Sequence, residues 1–154
     1  MAKELKFAPR EVFEQMLEYM VIPTFDLVIE YGQQGMVLVR RTIAPYQHQW
    51  ALPGLRMFKG ESIDDTLRRI ARQEVGLEID PRQKVLLGQF VGKFKTEHQR
   101  QDLSTGYWVK VSPREPITLN QSHFSEVRIT YALPRPMGAM YRFYLQRYQA
   151  LRPG

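Results

Sequence analysis

The sequence predicts an α/β protein in which a mixed β-sheet lies between helices, with an extra helix ahead of the first strand. Three observations predict it. Apolar residues recur at helical spacing near both ends of the chain, the segments between them read at strand spacing, and one central helix carries explicit start and stop signals. Helix, strands interrupted by a helix, and a final helix together suit an α/β/α sandwich.

Pro9 opens the first helix, whose Val12, Phe13, Met16, Leu17 and Met20 follow helical spacing, and Pro23 is expected to stop it. Strands over 25–31 and 36–41 then flank a turn at Gly32 to Gly35. Ser62, with Asp65 three residues on, forms a capping box that starts a helix at Ile63, and Gly76 ends it after Val75. Strands are expected over 85–94, 106–111 and 126–131. The last helix, 137–151, carries Met140, Tyr141, Tyr144, Leu145 and Tyr148 on one side. Two segments, 95–105 and 112–125, read as long loops, the places where a rigid sheet presents its ligand contacts.

The chain has 154 residues and reads as a single domain, 1–154, of which 1–22 forms the N-terminal helical region. A domain of this size buries about two-thirds of the surface its unfolded chain exposes. There is no cysteine, which excludes disulfides and thiolate metal sites. No apolar run reaches the ~20 residues of a membrane span, and the N-terminus lacks a signal peptide's apolar core, so the expectation is a cytoplasmic protein with no membrane partner. The net charge of +6 favours polyanions, whether nucleic acid or a nucleotide diphosphate, but the basic residues are scattered and RNA-binding signatures are missing, which argues against nucleic acid as the main partner.

The central helix holds one misplaced charge. With Ile63 as origin and 100° per residue, Leu67, Ile70 and Ala71 fall within roughly 80° and define the buried stripe; Glu74 lands at about 20°. A carboxylate facing a core costs several kcal/mol unless it is compensated, so Glu74 calls for a partner, either an arginine or a bound metal.

The stretch from Leu52 to Leu77 resembles the Nudix box. Glu61, Arg69, Glu74, Gly76 and Leu77 match it, led in by Pro53 and Gly54. Three positions depart: Leu55 stands for the first glycine, Ile70 for the glutamate after the arginine, and Gln73 for the first of the paired glutamates. This eroded box is similar to that of the GDP-mannose mannosyl hydrolases, a Nudix branch that cleaves the sugar's C–O bond rather than the diphosphate. Asp26, Arg41, Trp50, Arg56, Gly88-Gln89-Phe90 and Tyr107 also sit where that branch has similar residues. Attack at phosphorus builds charge that several Mg²⁺ ions must share, whereas attack at an anomeric carbon expels an intact diphosphate that one Mg²⁺ and arginines can clamp.

The resemblance implies a Mg²⁺-dependent hydrolase of a GDP-sugar, GDP-mannose or GDP-glucose, acting as a homodimer through its N-terminal region. Glu74, Gly54, Glu61 and Gln121 are its candidate metal ligands; Glu61 serves equally well as a structural carboxylate at a helix N-terminus. Arg41 and Arg56 suit bidentate phosphate binding, or are surface arginines like Arg40. Arg69 completes the catalytic set as the box arginine, with an ion pair to Glu74 as its plainer role. Asp26 would contact the sugar or orient an arginine, or is a strand-end aspartate with a local backbone bond, and Tyr107 would send its hydroxyl to the diphosphate or lie in the core. Trp108 points to the opposite face from Tyr107 and reads as core. His123 is the candidate base, one residue too early by the count back from Arg128, with His98 second and His48 unsupported. Two other functions compete: a Nudix pyrophosphohydrolase of another nucleoside diphosphate derivative, and a catalytically silent nucleotide-sensing domain.

Overall fold

The computed structural model describes residues 6–153. Elements run α1 (Arg10–Tyr19), β1 (Val21–Tyr31), β2 (Met36–Arg41), β3 (Trp50–Ala51), β4 (Gly54–Arg56), α2 (Ile63–Val75), a 3₁₀ turn (Pro81–Gln83), β5 (Val85–Lys93), β6 (Gln101–Val111), β7 (Phe124–Thr130) and α3 (Ala139–Leu151). A seven-stranded sheet is ordered β3-β2-β1-β6-β5, with β4 also paired to β1 and β7 to β2. Among the strand pairs of the described residues, β1 and β6 run parallel, in register from Val21 opposite Gln101 to Tyr31 opposite Val111, and the others are antiparallel. The predicted mixed α/β sandwich with an N-terminal helix is the fold observed.

Helix α2 keeps its predicted bounds because both ends are chemically fixed. Ser62 Oγ accepts from the Asp65 N–H at 3.1 Å and Asp65 Oδ2 from the Ser62 N–H at 3.0 Å, while Gly76 closes the helix at φ 68°. A side chain at Gly76 would be strained by that φ, and its Cβ would lie 2.8 Å from Thr118 Cβ. Leu67, Ile70, Ala71 and Glu74 are buried as the stripe requires, although Ile63 is exposed.

Strand parity places everything else. Even-numbered residues of β1 and β6 face α3: Asp26 meets Ser104 and through it Tyr144, Glu30 meets Tyr148, and Trp108 packs edge-on against Tyr148. Odd-numbered residues face α2: Phe25 stacks on Tyr107, and Lys84 lies over Tyr107 while pairing with Asp64 of α2 at 2.7 Å. Among the described residues, no helix is long and apolar enough to cross a membrane.

Some expected elements are corrected. α1 stops at Tyr19, and Pro23 lies inside β1 rather than ending the helix. Its missing N–H falls on the side of its own carbonyl, which accepts from Met57 just beyond β4. β6 begins at Gln101, so most of the expected 95–105 loop's second half is strand. β3 and β4 were not anticipated; at two and three residues they are too short to show a period.

Candidate active site

A cavity of about 240 Å³ opens on the α3 side of the sheet. The even-numbered face of β1 and β6 supplies Thr24, Asp26 and Asp102; β2 supplies Arg41, and β4 supplies Gly54 and Arg56. Glu97, Arg100, Tyr141 and His123 also line it. Five expected residues, Asp26, Arg41, Gly54, Arg56 and His123, are thus brought together. Gly54 lies opposite Asp26 in register, and a Cβ there would fall 2.3 Å from Asp26 Oδ1, so only glycine allows the strands this closeness.

Arg41 is held by the loop that follows it, donating from Nη2 to the Ala44 carbonyl at 3.2 Å and from Nε to the Pro45 carbonyl at 2.5 Å. That leaves further guanidinium N–H groups for a ligand. Arg56 packs flat against Phe13 and Phe58, its Cζ 3.9 and 5.2 Å from the ring centroids. Burial and the neighbouring guanidinium groups of Arg100 and Arg69 hold its pKa below the ordinary arginine value. Arg56 shares the cavity wall with Arg41 and Arg100 and with the carboxylates of Asp26, Glu97 and Asp102.

Glu74 is fully buried, and His123 Nδ1 lies 2.9 and 3.1 Å from its two oxygens. Burial raises the Glu74 pKa, partly offset by His123, Arg41 and Asn120. With Nδ1 turned to the carboxylate, the imidazole keeps Nε2 for the cavity, an arrangement in which a carboxylate fixes the tautomer and orientation of a base.

Asp26 is also enclosed, accepting from Ser104 Oγ at 2.5 Å, which in turn accepts from the Tyr144 hydroxyl at 2.8 Å. Burial pushes its carboxyl up to about 7, against the lowering effects of Ser104, Arg41 and Arg100. The sign follows: the unfolded chain ionises this group first, so stability falls as pH rises from 3.8 to about 7. Asp26→Asn is therefore expected to lose less stability than wild type between about pH 5 and about pH 8 in denaturant titrations. An equal loss in both would refute the buried, neutral Asp26.

The other expected residues lie elsewhere. Glu61 and Arg69 form a bidentate pair, Nε to Oε2 at 2.7 Å and Nη2 to Oε1 at 2.9 Å, and Nη2 also reaches the Arg56 carbonyl at 2.6 Å. That pair ties the β4 end to α2 and leaves neither residue on the cavity wall. Gln121 is exposed in a separate shallow groove with Arg72, Gln73 and Gly76. Tyr107 faces α2, because odd-numbered residues of β6 point away from the cavity. His98 is 3.4 Å from Glu18, and His48 does not line the cavity. Arg100 and Asp102, paired at 2.7 Å, were missed because they fall where a loop was expected; the alternation of Asp102 and Ser104 ahead of Gly106 is a strand signal that could have found them.

Among the described residues, no group of three or more His, Cys, Asp or Glu converges to hold a metal ion. The candidate donors are fewer: the Gly54 carbonyl at the cavity wall, and the Glu74 carboxylate, which is fully buried behind His123 and does not itself line the cavity. Mg²⁺ is commonly held this way, by one or two carboxylates together with substrate phosphates and water.

Comparison with known families matches residues 20–141 to the NUDIX domain. The chain belongs to the Nudix family. Nudix hydrolases generally use divalent metal ions such as Mg²⁺. Similar solved structures include a MutT NUDIX hydrolase from Burkholderia pseudomallei, with TM-score 0.72, 17% identity and coverage of 83% of this chain and 98% of that one. The NUDIX domain of Shewanella oneidensis NrtR, complexed with ADP ribose, has TM-score 0.67, 17% identity and coverage of 93% and 92%. A MutT/nudix family protein from Enterococcus faecalis has TM-score 0.61 and 19% identity, covering 80% of this chain but 56% of that one. At these identities the likeness is one of fold. Among curated proteins, the low-salt glycan biosynthesis protein Agl8 of Haloferax volcanii is 31% identical over 71 residues, 46% of this chain. The match spans about half of that relative's length, 45%.

Proposed function

We propose that this Nudix domain hydrolyses a nucleotide sugar, a GDP-sugar such as GDP-mannose or GDP-glucose, at the anomeric C–O bond. The observation that carries the reading is the Glu74–His123 contact at the wall of an arginine-lined cavity. The box's surviving carboxylate holds an imidazole rather than joining a carboxylate cluster, which suits a reaction whose central need is an oriented base. Similarity to a glycan biosynthesis protein supports a carbohydrate-bearing substrate.

His123 takes a proton through Nε2 from a water whose oxygen bonds to the anomeric carbon. The C–O bond to the diphosphate breaks, and its electron pair leaves on the diphosphate oxygen. Arg41 and Arg56 bind that departing anion, and Asp26 faces the sugar. Gly54, through its carbonyl, and Glu74 are the residues that would hold a Mg²⁺, which when bound would supply charge stabilisation to the leaving diphosphate.

The test is incubation with a panel of nucleotide sugars and Mg²⁺, with products separated by chromatography and the first-formed sugar anomer read by NMR. The expected products are GDP and a free sugar of inverted configuration, since a single displacement inverts. GMP with sugar phosphate would instead mean cleavage of the diphosphate, and binding without product would mean a sensing domain. A homodimer is part of the proposal; light scattering that finds only an 18.2 kDa species at micromolar concentration would remove it.

A further inference from the structure

We propose that Phe13, on the N-terminal helix α1, is a positioning residue for Arg56, holding its guanidinium charged and unneutralised so that it can receive a diphosphate. The inference rests on the reading of the cavity as a nucleoside diphosphate site.

The arginines around this cavity are held in different ways. Arg69 is neutralised by Glu61, and Arg100 by Asp102 and Glu97. Arg56 has no carboxylate partner among the described residues; it rests on the faces of Phe13 and Phe58. An ion pair would fix an arginine equally well but would cancel its field. An aromatic face attracts a cation through the ring quadrupole without adding negative charge, so the cation's potential still reaches the cavity.

The two rings are not equivalent. Phe58 also carries Arg69, whose Cζ is 3.8 Å from its centroid, and its backbone N–H donates to Glu61 Oε1 at 2.8 Å. It therefore belongs to the structural lock beneath the site. Phe13 is the nearer ring to Arg56 and comes from α1, an element outside the sheet and α2. α1 thereby becomes part of the anion site, and the half-buried Phe13 contributes to ligand affinity and not only to packing.

The test is calorimetric binding of GDP and of inorganic pyrophosphate to the full chain, with no turnover required. Phe13→Leu keeps an apolar, helix-compatible side chain and removes the ring; it is expected to weaken both ligands about three- to tenfold. Phe13→Trp is expected to restore wild-type affinity, and on the substrate found by the panel KM rises in Phe13→Leu and returns to the wild-type value in Phe13→Trp. In an Arg56→Ala background, Phe13→Leu should add no further loss. Wild-type affinity in Phe13→Leu, or the same loss with Arg56 absent, would overturn the inference. Failure of wild type to bind either ligand would overturn both the proposed function and this inference, whereas binding without hydrolysis would leave the inference standing.

Discussion

His123→Gln is expected to lower kcat by about 10²–10⁴, the range found when a general base is removed, while GDP affinity stays near wild type. His123 lines the cavity, and Glu74 occupies Nδ1 from a fully buried position, so glutamine would preserve a polar side chain there but supply no base. Binding is expected to be spared because the arginines proposed to hold the anion do not depend on the imidazole: Arg41 is fixed by the Ala44 and Pro45 carbonyls and Arg56 by aromatic rings. Steady-state kinetics beside calorimetry separates the two effects. If His123→Gln turns over at the wild-type rate, the base lies elsewhere, and Asp26 becomes the group to test.

The second large effect is on stability. Glu61→Ala is expected to cost about 3–5 kcal/mol, because it leaves the nearly buried Arg69 charge without its partner. Arg69 Nη1 already lacks a hydrogen-bond partner, so the guanidinium has no spare acceptor to turn to. Burial alone would raise the Glu61 carboxyl, but hydrogen bonds from Arg69, the Phe58 N–H and Thr66, with the Arg69 charge, hold it below the ordinary glutamate value. The sign is therefore that of a depressed carboxylate. Its contribution is fully present above about pH 4.5 and is lost as pH falls through the lowered folded value, so the difference between wild type and variant should shrink in acid. Denaturant titrations at neutral and acid pH check this. A difference below about 1 kcal/mol at neutral pH would mean that the pair behaves as an exposed one.

How much was legible in the chain depended on whether a signal was local. The capping box at Ser62 and Asp65, the αL glycine at Gly76 and the burial of Glu74 all lie within one helix, and the structure has each as read. The partner of Glu74 was not local: His123 lies 49 residues away and reaches it only through the 112–123 loop. Glu61 and Arg69 were both visible, but nothing in their spacing says that they bind each other rather than a ligand. The first half of β6 was hidden because its inward residues are polar: Asp102 lines the cavity and Ser104 is buried against Asp26 and Tyr144, so only a polar alternation, weaker than the apolar one, marks the strand. Tyr107 shows the converse. Once β6 is extended, strand parity alone sends it to the α2 side with Phe25 and away from the cavity.

The central claim is that this cavity breaks the bond between the sugar carbon and the diphosphate oxygen. Hydrolysis of GDP-mannose in ¹⁸O-labelled water, read by mass spectrometry of both products, tests it most directly. The account predicts the label in the released sugar and none in the GDP. Label on a phosphate of the nucleotide or of a sugar phosphate would contradict it.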